Sequence, residues 1–425
     1  MTGDEALAYL SGLGRSKARA GVENTRELLR RLGDPQKGLR CIHVAGSNGK
    51  GSTCAMLEAA LRACGYRTGL FTSPHIHTLR ERIRVDGAAV TPEELGHIVG
   101  RVRGAAGTYS LFDILTAAAL LFFRERACDA VILEVGMGGE LDATNAIDAP
   151  ALAVFCNIGL EHTAYLGDTV EKIAATKAGI IKPGSHAVFY DGAPAAEEVL
   201  RRVCREKGVP FTAAPFSAVT PLSADWEGQD FLWEGKPFRL GLLGDFQLHN
   251  AATALTALRV LRENGWRVSE DAVRRAFSRL RRAARMELLS REPPVFLDGG
   301  HNPQCAEAAA ETLAHFRPGK KWTLLLGFSQ EKERAPMLDA LLPLAAECFC
   351  VTPPGGMGLP ALLLAGEILR RGTAAEACGS IREGLSCALS AAGRDGGILC
   401  FGSLYTAGEI RDFFHAPSLE KPEEL

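Results

Sequence analysis

Short apolar runs alternate with longer amphipathic stretches along most of the chain. The runs end at Gly, Pro, Ser or Asn, which is typical of buried strands. In the first half of the chain they predict strands over Arg40 to Val44, Thr68 to Phe71, Ala130 to Leu133, Ala151 to Phe155 and Ala187 to Tyr190. The stretches between them carry helix-end signals and predict helices over Ser52 to Cys64, Pro92 to Arg103, Leu115 to Arg126 and Thr169 to Ala178. This alternation predicts an α/β fold with largely parallel sheets, because crossover helices join parallel strands.

The pattern changes in the middle of the chain and then resumes. Between Pro215 and Gly244, Trp, Gly and Pro interrupt alternating residues, which indicates a β-rich insertion before a helix over Asn250 to Asn264. Strand-like runs return at Val295 to Leu297, Trp322 to Leu326, Cys348 to Val351 and Ile398 to Phe401. A length of 425 residues favours two domains, with three as the alternative. We predict α/β domains over residues 1–288 and 292–425, with Glu292-Pro293-Pro294 as the hinge between them.

The charge balance argues against two classes of partner. With 48 basic and 50 acidic residues, the net charge of -2 gives no electrostatic footprint for nucleic acid or for an anionic membrane. The longest apolar run, Ile114 to Phe123, is too short to span a bilayer and predicts a buried helix. The segment Met1 to Glu5 lacks the basic-then-apolar pattern of a signal peptide, so we expect a cytoplasmic protein and, by default, a monomer.

The cysteines do not form a metal-binding pattern. All 12 are scattered, with no C-x-x-C pair. Cys348 and Cys350 alternate within one strand-like run and should therefore point to the same face of that strand. Reduced, structural thiols are expected.

A glycine-rich segment, Gly46 to Thr53, lies between a predicted strand and a predicted helix. In that context backbone N–H groups and a helix N-terminus can bind phosphate, and Lys50 can neutralise the terminal phosphates of a nucleotide. The segment departs from the standard P-loop, because Gly51 occupies the place of the Ser or Thr that reaches magnesium. The hydroxyl must come from Ser52 or from elsewhere, and Ser73 is a candidate. The alternative interpretation is a glycine-rich turn with a solvated lysine.

Glu134 belongs beside the same crevice if the sheet is parallel, because the carboxyl ends of parallel strands gather there. Glu134 ends a predicted strand and is a natural magnesium ligand, although a turn or N-cap residue fits its position equally well. His162 follows the strand that ends at Phe155, but a lone histidine is more often packed than metal-bound. Lys177, judged by its position alone, is only a favourable cation at a helix C-terminus.

Ordered motifs along nearly the whole chain resemble the folylpolyglutamate synthase and dihydrofolate synthase family, a branch of the Mur-type ligases. They are GSNGKGST at Gly46, FTSPH at Phe71, ERIRVDG at Glu81, EVGMGGELDATN at Glu134, GLEHTAYLGDT at Gly159, KAGIIKPG at Lys177, HNAATAL at His249, LDGGHNP at Leu297 and FGSLY at Phe401. The resemblance implies a P-loop-type ATP-binding α/β domain followed by a smaller Rossmann-like α/β domain. It places the active site in a cleft between the two.

The resemblance also implies roles for individual residues. Magnesium would be held by Ser73, Glu134, His162 and Lys177, with Lys177 carbamylated so that a cation becomes an anionic metal partner. The residues implied to bind ATP are Ser47, Asn48, Gly49, Lys50, Gly51, Ser52, Asn250, Arg285, Asp298 and His301. The expected catalytic set is Lys50, Glu134, His162 and Lys177.

The folate-type substrate would lie along two short segments. The implied contacts are Ser110, Phe112, Asp113, Leu141, Asp142 and Ala143. A structural role remains open for Phe112, Asp113 and Asp142, since Phe112 could be a core residue and Asp142 a turn former. The chain also departs from the family's usual residues at Asp113, Glu161, Thr176, Ala284 and the Gln330-Glu331-Lys332-Glu333 stretch, which leaves the exact substrate open.

The predicted function is ATP-dependent addition of L-glutamate to folate, or to dihydropteroate, through an acyl phosphate. One alternative is a Mur-type ligase acting on a nucleotide-linked cell-wall precursor, and a second is a non-catalytic nucleotide-binding relative. A nicotinamide-dependent dehydrogenase is rejected, because the loop reads Gly-Lys-Gly-Ser and not G-x-G-x-x-G.

Overall fold

The computed structural model describes residues 1–13, 21–105 and 107–420 and is an α/β protein with three sheets. The strands are β1 (Cys41–Ala45), β2 (Thr68–Phe71), β3 (Ile83–Val85), β4 (Ala88–Ala89), β5 (Ala130–Glu134), β6 (Leu152–Phe155), β7 (His186–Tyr190), β8 (Phe211–Ala214), β9 (Val219–Asp225), β10 (Gly228–Trp233), β11 (Lys236–Leu240), β12 (Glu287–Arg291), β13 (Pro294–Asp298), β14 (Trp322–Leu326), β15 (Ala345–Cys350), β16 (Ala375–Ala377) and β17 (Ile398–Phe401). The helices are α1 (Gly3–Gly12), α2 (Val22–Arg31), α3 (Lys50–Ala63), α4 (Pro92–Gly104), α5 (Leu111–Glu125), α6 (Thr163–Leu166), α7 (Val170–Lys177), α8 (Pro194–Lys207), α9 (Asp245–Glu263), α10 (Glu270–Arg279), α11 (Pro303–Phe316), α12 (Ala335–Leu341), α13 (Ala361–Arg370), α14 (Ile381–Ala392) and α15 (Leu404–Phe413).

The first sheet has eight strands in the order β4-β3-β2-β5-β1-β6-β7-β8. Strands β2, β5, β1, β6, β7 and β8 are parallel, and the β3–β4 hairpin adds an antiparallel edge. The central strand β1 is buried along its whole length, with β5 on one side and β6 on the other. The loops that follow β1, β2, β5 and β6 therefore meet at one edge of the sheet, as predicted for a parallel sheet.

Helices cover both faces of this sheet, which explains why its strands are apolar throughout. On one face, Leu57 of α3, Leu258 of α9 and Phe277 of α10 belong to one buried cluster with Ile42 and Val44 of β1. On the other face, α5 buries Leu120 against Leu133 of β5. The run from Ile114 to Phe123 lies within α5 and is entirely buried, so the prediction of a buried helix is confirmed. No helix in the described ranges combines the length and the apolarity needed to cross a membrane.

The predicted β-rich insertion is a small antiparallel sheet of β9, β10 and β11. Trp226, at the turn between β9 and β10, inserts its ring against aromatic residues of the C-terminal half. Its ring centroid lies 4.8 Å from that of Phe316 and 5.9 Å from that of Phe296. The insertion therefore ties the first half of the chain to the core of the second half.

We expect Trp226→Ala to lower the free energy of unfolding by about 2–3 kcal/mol, because it removes a large ring from this aromatic contact. Urea unfolding followed by circular dichroism measures the effect. Leu222→Ala on β9 is the control, since Leu222 is 57% exposed and its truncation should change stability by less than about 0.5 kcal/mol. Equal midpoints for Trp226→Ala and the wild type would show that the aromatic contact does not stabilise the fold.

The C-terminal half forms a six-stranded sheet in the order β12-β13-β17-β14-β15-β16. It is called the second sheet below, and the eight-stranded sheet is the first. The strands from β13 to β16 are parallel, and β12 pairs antiparallel with β13. Arg291 pairs with Pro294, so Glu292 and Pro293 form the turn of a tight hairpin inside this sheet. The predicted hinge at residues 292–294 is therefore wrong, since both of its arms belong to the same sheet.

The thiols behave as the sequence predicts. All 12 cysteines are free. Cys348 and Cys350 of β15 both face the core on one side of the second sheet, while Phe349 between them faces the other side.

The end of the described chain returns from the second sheet to the first. Arg411 of α15 donates to the carbonyl of Pro417 (2.6 Å), and Arg84 of β3 donates to that of Leu419 (2.5 Å). The N–H of Ala89 in β4 then donates to the carbonyl of Glu420 (2.9 Å). Residues 417–419 also line a cleft of about 860 Å³ that separates the two sheets.

Candidate active site between the two sheets

The loop after β1, residues 46–52, has the shape of an anion-binding loop that opens a helix, and it is called the phosphate loop below. Gly49 adopts a left-handed conformation (φ 86°) and caps α3, so the first N–H groups of that helix face the loop. A Cβ on Gly49 would lie 2.2 Å from Oδ1 of Asn250, so only glycine fits there. The same contact places Asn250 of α9 beside the phosphate loop, next to residues 47–52 as the resemblance implies.

Lys50 folds back over this loop. Its Nζ donates to the carbonyls of Gly46 (2.7 Å) and Ser47 (3.2 Å). The Ser47 hydroxyl in turn donates to the carbonyl of Gly159, and the Ser47 N–H donates to the carbonyl of Asn157 (2.7 Å). The loop is thus held by the segment after β6, and the Lys50 ammonium lies against its carbonyl groups.

Glu134, at the end of β5, lies between this loop and the loop after β2. Its carboxylate is almost fully buried, and Oε2 accepts the N–H of Ser73 (3.0 Å). Its Oε1 lies 3.6 Å from the point where a Cβ on Gly51 would be. Burial raises the pKa of Glu134, and the nearby charges of Lys50, Arg282 and Arg285 oppose that rise. The structure therefore brings Gly51, Ser73 and Glu134 together at the cleft.

The loop after β6 supplies a buried ion pair. Nζ of Lys177 lies 2.6 Å from Oε1 of Glu161, and it also donates to the carbonyl of Gly46 (2.9 Å). Burial, followed by the charge of Lys50, lowers the pKa of Lys177 to about 8. Burial alone would raise the pKa of Glu161, but Lys50 and Lys177 outweigh it and lower that pKa to about 2. Lys177 is therefore more than a cation at a helix C-terminus, because its Nζ bonds to Gly46 of the phosphate loop.

His162 takes a different environment from its neighbour Glu161. It is exposed, caps α6 in a left-handed conformation (φ 45°), and burial of part of the ring lowers its pKa. In the described part of the chain, no group of three or more His, Cys, Asp or Glu side chains is arranged to hold a metal ion. Ser73, whose N–H bonds to Glu134, offers a hydroxyl as a further oxygen donor beside that carboxylate.

The residues present fit a hard cation at this position. Glu134 offers a buried carboxylate whose Oε1 faces the phosphate loop, and oxygen donors are what Mg²⁺ prefers. Glu134 is therefore the residue on which the metal prediction depends.

The second sheet contributes the opposite wall of the site. Asp298 ends β13, where its carboxylate accepts the N–H groups of Met286 (2.8 Å) and Gly300 (2.6 Å), and burial raises its pKa. Burial also lowers the pKa of His301 to about 4, so its ring is neutral at pH 7. Arg285 lies next to these residues, with Nη1 3.1 Å from the Cβ position of Gly299. Arg285, Asp298 and His301 are therefore one cluster.

Side chains from α11 connect this cluster to the phosphate loop. Asn302 donates to Oδ1 of Asn48 (2.8 Å), and Asn48 donates to Oε1 of Gln304 (2.8 Å). The segment that follows His301 thus contacts the phosphate loop across the junction between the two halves. Gln304 was not predicted as a site residue, although the HNP motif pointed to its segment.

The predicted folate-binding segments are adjacent, but the structure gives some of their residues structural roles. Phe112 packs against Phe71 (5.6 Å between ring centroids) and against Gly136. Asp113 is fully buried and accepts hydrogen bonds from Thr25 and from both the N–H and hydroxyl of Ser110. Asp113 thus caps α5 and bonds within the core, and its contact with the substrate stays a prediction.

The second predicted segment, residues 141–143, also contains both buried and exposed side chains. Asp142 accepts hydrogen bonds from Met137 (2.9 Å) and Thr144 (3.0 Å), so its carboxylate organises the loop after β5. Ala143 is fully buried, and its contact with the substrate stays a prediction. Leu141 is 66% exposed and Phe112 is half-buried, so these two side chains remain accessible.

A phosphate loop on a parallel sheet, with a buried carboxylate beside it and a second α/β unit across a cleft, is the arrangement of a nucleotide-binding protein. The Mur ligase middle domain matches residues 44–258, and the Mur ligase glutamate ligase domain matches residues 284–404. The chain belongs to the Mur ligase family, within its folylpolyglutamate and dihydrofolate synthase branch.

Relatives and solved structures agree with this assignment. The chain is 35% identical to a probable bifunctional folylpolyglutamate synthase/dihydropteroate synthase of Haloferax volcanii over 96% of its length, but it spans only 50% of that relative. It is 32% identical to the dihydrofolate synthase/folylpolyglutamate synthase of Escherichia coli, covering 96% of this chain and 95% of the relative.

Among solved structures, E. coli FolC in complex with DHPP and ADP has a TM-score of 0.86 at 29% identity, over 98% of both chains. The bifunctional enzyme of Yersinia pestis with AMPPNP and a Mn ion has a TM-score of 0.85 at 29% identity, also over 98% of both chains. The fold, including both sheets, is therefore shared with ligases that were solved with nucleotide.

Proposed function

We propose that this protein is an ATP-dependent ligase that joins L-glutamate to the carboxylate of a folate or of dihydropteroate. The observation that carries the proposal is that Glu134, beside the phosphate loop, and Arg285 line one cleft between the two sheets, while Asn302 bonds to Asn48 of that loop. The relatives named as folylpolyglutamate and dihydrofolate synthases support the same activity.

The chemistry requires activation, because a carboxylate oxygen is a poor leaving group. The acceptor carboxylate attacks the γ-phosphorus of ATP, an O–P bond forms as the bond to ADP breaks, and an acyl phosphate results. The amine of glutamate then attacks the acyl carbon, phosphate leaves, and the amine loses a proton. Lys50 and the N-terminus of α3 would neutralise the phosphate charge as two anions approach. Magnesium, when bound, supplies further neutralisation of the transferring phosphoryl group.

We assign the remaining site residues by their position. Residues 47–52 and Asn250 would bind the phosphates, and Arg285, Asp298 and His301 would contact the nucleotide from the second sheet. Glu134 and Ser73 would hold magnesium, together with His162 and a modified Lys177. Phe112 and Leu141 are the accessible candidates for the pterin-bearing substrate, with Ser110 at the edge of that surface.

The carbamate on Lys177 has a specific physical basis. Only a neutral amine adds CO₂: a bond forms between Nζ and carbon, and the nitrogen loses a proton. With a pKa of about 8, about a tenth of the Lys177 amines are neutral at pH 7 and about half at pH 8. The resulting anion would face Lys50 and the metal, while its repulsion from Glu161 would have to be offset by them.

We therefore expect ¹³C-labelled bicarbonate to give a carbamate resonance that grows between pH 6 and pH 8 as Lys177 loses its proton. The resonance should be absent in Lys177→Arg, and Lys172→Arg on the same helix is the exposed control. A wild-type protein with no such resonance at pH 8 would remove the carbamate from the mechanism but leave the ligase proposal standing.

Product analysis distinguishes the two candidate acceptors. Mass spectrometry after incubation with ATP, magnesium and L-glutamate should detect a product that is one glutamate heavier than its acceptor. A glutamylated product from dihydropteroate identifies dihydrofolate synthesis, and one from reduced folates alone identifies a polyglutamate extender. If neither acceptor is modified but a nucleotide-linked cell-wall precursor is, the alternative Mur-type function is correct.

The setting of the enzyme is part of the same proposal. Free thiols at all 12 cysteines fit a reducing compartment, so we place the protein in the cytoplasm, and we expect a monomer. Light scattering on the purified protein tests the second point, since a mass near 45.4 kDa is required.

A further inference from the structure

The basic stretch at residues 279–285 joins the first sheet to the second and carries more charge than its assigned role explains. Arg285 belongs to the nucleotide cluster described above, but Arg282 points elsewhere. Its Nη2 lies 2.9 Å from the position that a Cβ on Gly51 would occupy, and Oε1 of Glu134 lies 3.6 Å from the same point. Arg282 therefore sits against the first turn of α3, on the side of the loop that opens into the cleft.

This position corresponds to the far end of a nucleotide's phosphate chain. A magnesium ion held by Glu134 would neutralise charge on the terminal phosphates, so a group beside that carboxylate would lie close to the γ-phosphate. Glu134 is that carboxylate in the proposed function, and Lys50 covers the opposite side of the loop through its bonds to Gly46 and Ser47. The absence of a side chain at Gly51 leaves room for the guanidinium.

We propose that Arg282 is a further catalytic residue, which binds the γ-phosphoryl oxygens of ATP and stabilises their charge as the phosphoryl group moves to the acceptor carboxylate. This inference rests on the proposed function. A planar guanidinium suits the task because it can donate two parallel hydrogen bonds to a phosphoryl group. Since Arg282 lies on the connection between the sheets, its placement also depends on how the two halves are arranged.

The test compares two nucleotides that differ in the γ-phosphate. In titration calorimetry with magnesium, Arg282→Gln should weaken binding of AMPPNP about tenfold and leave binding of ADP unchanged. The rate of glutamate-dependent ADP formation should fall about 10²-fold, as for loss of one charge-stabilising donor, with an unchanged KM for L-glutamate. Arg282→Lys should recover part of the rate. Arg279→Gln, at the exposed end of α10, is the matched control and should match the wild type in every measurement.

Three results would overturn the inference. Equal weakening of ADP and AMPPNP would indicate that Arg282 only supports the loop. A rise confined to the KM for L-glutamate would assign Arg282 to the amino-acid carboxylate, and unchanged binding and rate would leave it no role. The calorimetry uses neither acceptor nor glutamate, so it decides the role of Arg282 even if the acceptor proposed above is incorrect.

Discussion

Lys50→Ala should lower glutamate-dependent ADP formation by about 10³-fold while leaving the fold intact. The Lys50 ammonium is the cation closest to the loop carbonyls, and nothing in the described chain uses it as a core contact beyond its two bonds to Gly46 and Ser47. Its removal takes away the charge that would neutralise the terminal phosphates, but it breaks no buried ion pair. The measurement is initial-rate ADP release at saturating ATP, with circular dichroism to check the fold.

The control for this prediction is Lys37→Ala, a surface lysine whose side chain is 64% exposed and paired with Asp34. It should retain wild-type activity. A secondary effect is also expected, because Lys50 contributes to the lowered pKa of Lys177. In Lys50→Ala the pKa of Lys177 should rise toward its ordinary value. Wild-type turnover in Lys50→Ala would show that the phosphate-loop assignment is wrong.

Lys177→Ala should lose both activity and stability. The lysine side chain is 2% exposed and its partner Glu161 is 13% exposed, so the substitution leaves a buried carboxylate without its cation. Removing one partner of a buried pair costs about 3–5 kcal/mol, and the urea midpoint should shift accordingly. Activity should fall severely, and short carboxylates such as acetate should restore part of it if Lys177 acts as a carbamate.

The double variant Lys177→Ala/Glu161→Gln separates the two effects. Removing the stranded charge should restore much of the stability, but it should not restore activity if Lys177 serves the reaction. Lys172→Ala, an exposed lysine on the same helix, controls for the loss of a cation from α7. Recovery of full activity together with stability in the double variant would reduce Lys177 to a structural role.

The sequence predicted most of the fold because apolar runs in a parallel sheet are unambiguous when helices separate them. The strands Thr68–Phe71 and Trp322–Leu326 were predicted to the residue. Helix boundaries were less accurate: α5 begins at Leu111, four residues before the predicted start, because Ser110 and Asp113 form a capping box. That signal was present in the sequence, but Asp113 was assigned to substrate binding.

The prediction of a proline-rich hinge was wrong for a different reason. Consecutive prolines are compatible with a linker and with a hairpin turn, and only the pairing of β12 with β13 decides between them. Contacts between distant segments could not be predicted from the sequence for the same reason. The contact of Gln304 with Asn48 and that of Arg282 with Gly51 each span more than two hundred residues, and no local pattern encodes such a distance.

The most direct test of the central claim is ADP release by the purified full-length chain with ATP, magnesium and either dihydropteroate or a reduced folate, measured with and without L-glutamate. A ligase that forms an acyl phosphate and transfers it to an amine should release ADP continuously only when acceptor and glutamate are both present. ADP release that is independent of glutamate, or absent with both acceptors, would contradict the proposed ligation of glutamate to folates.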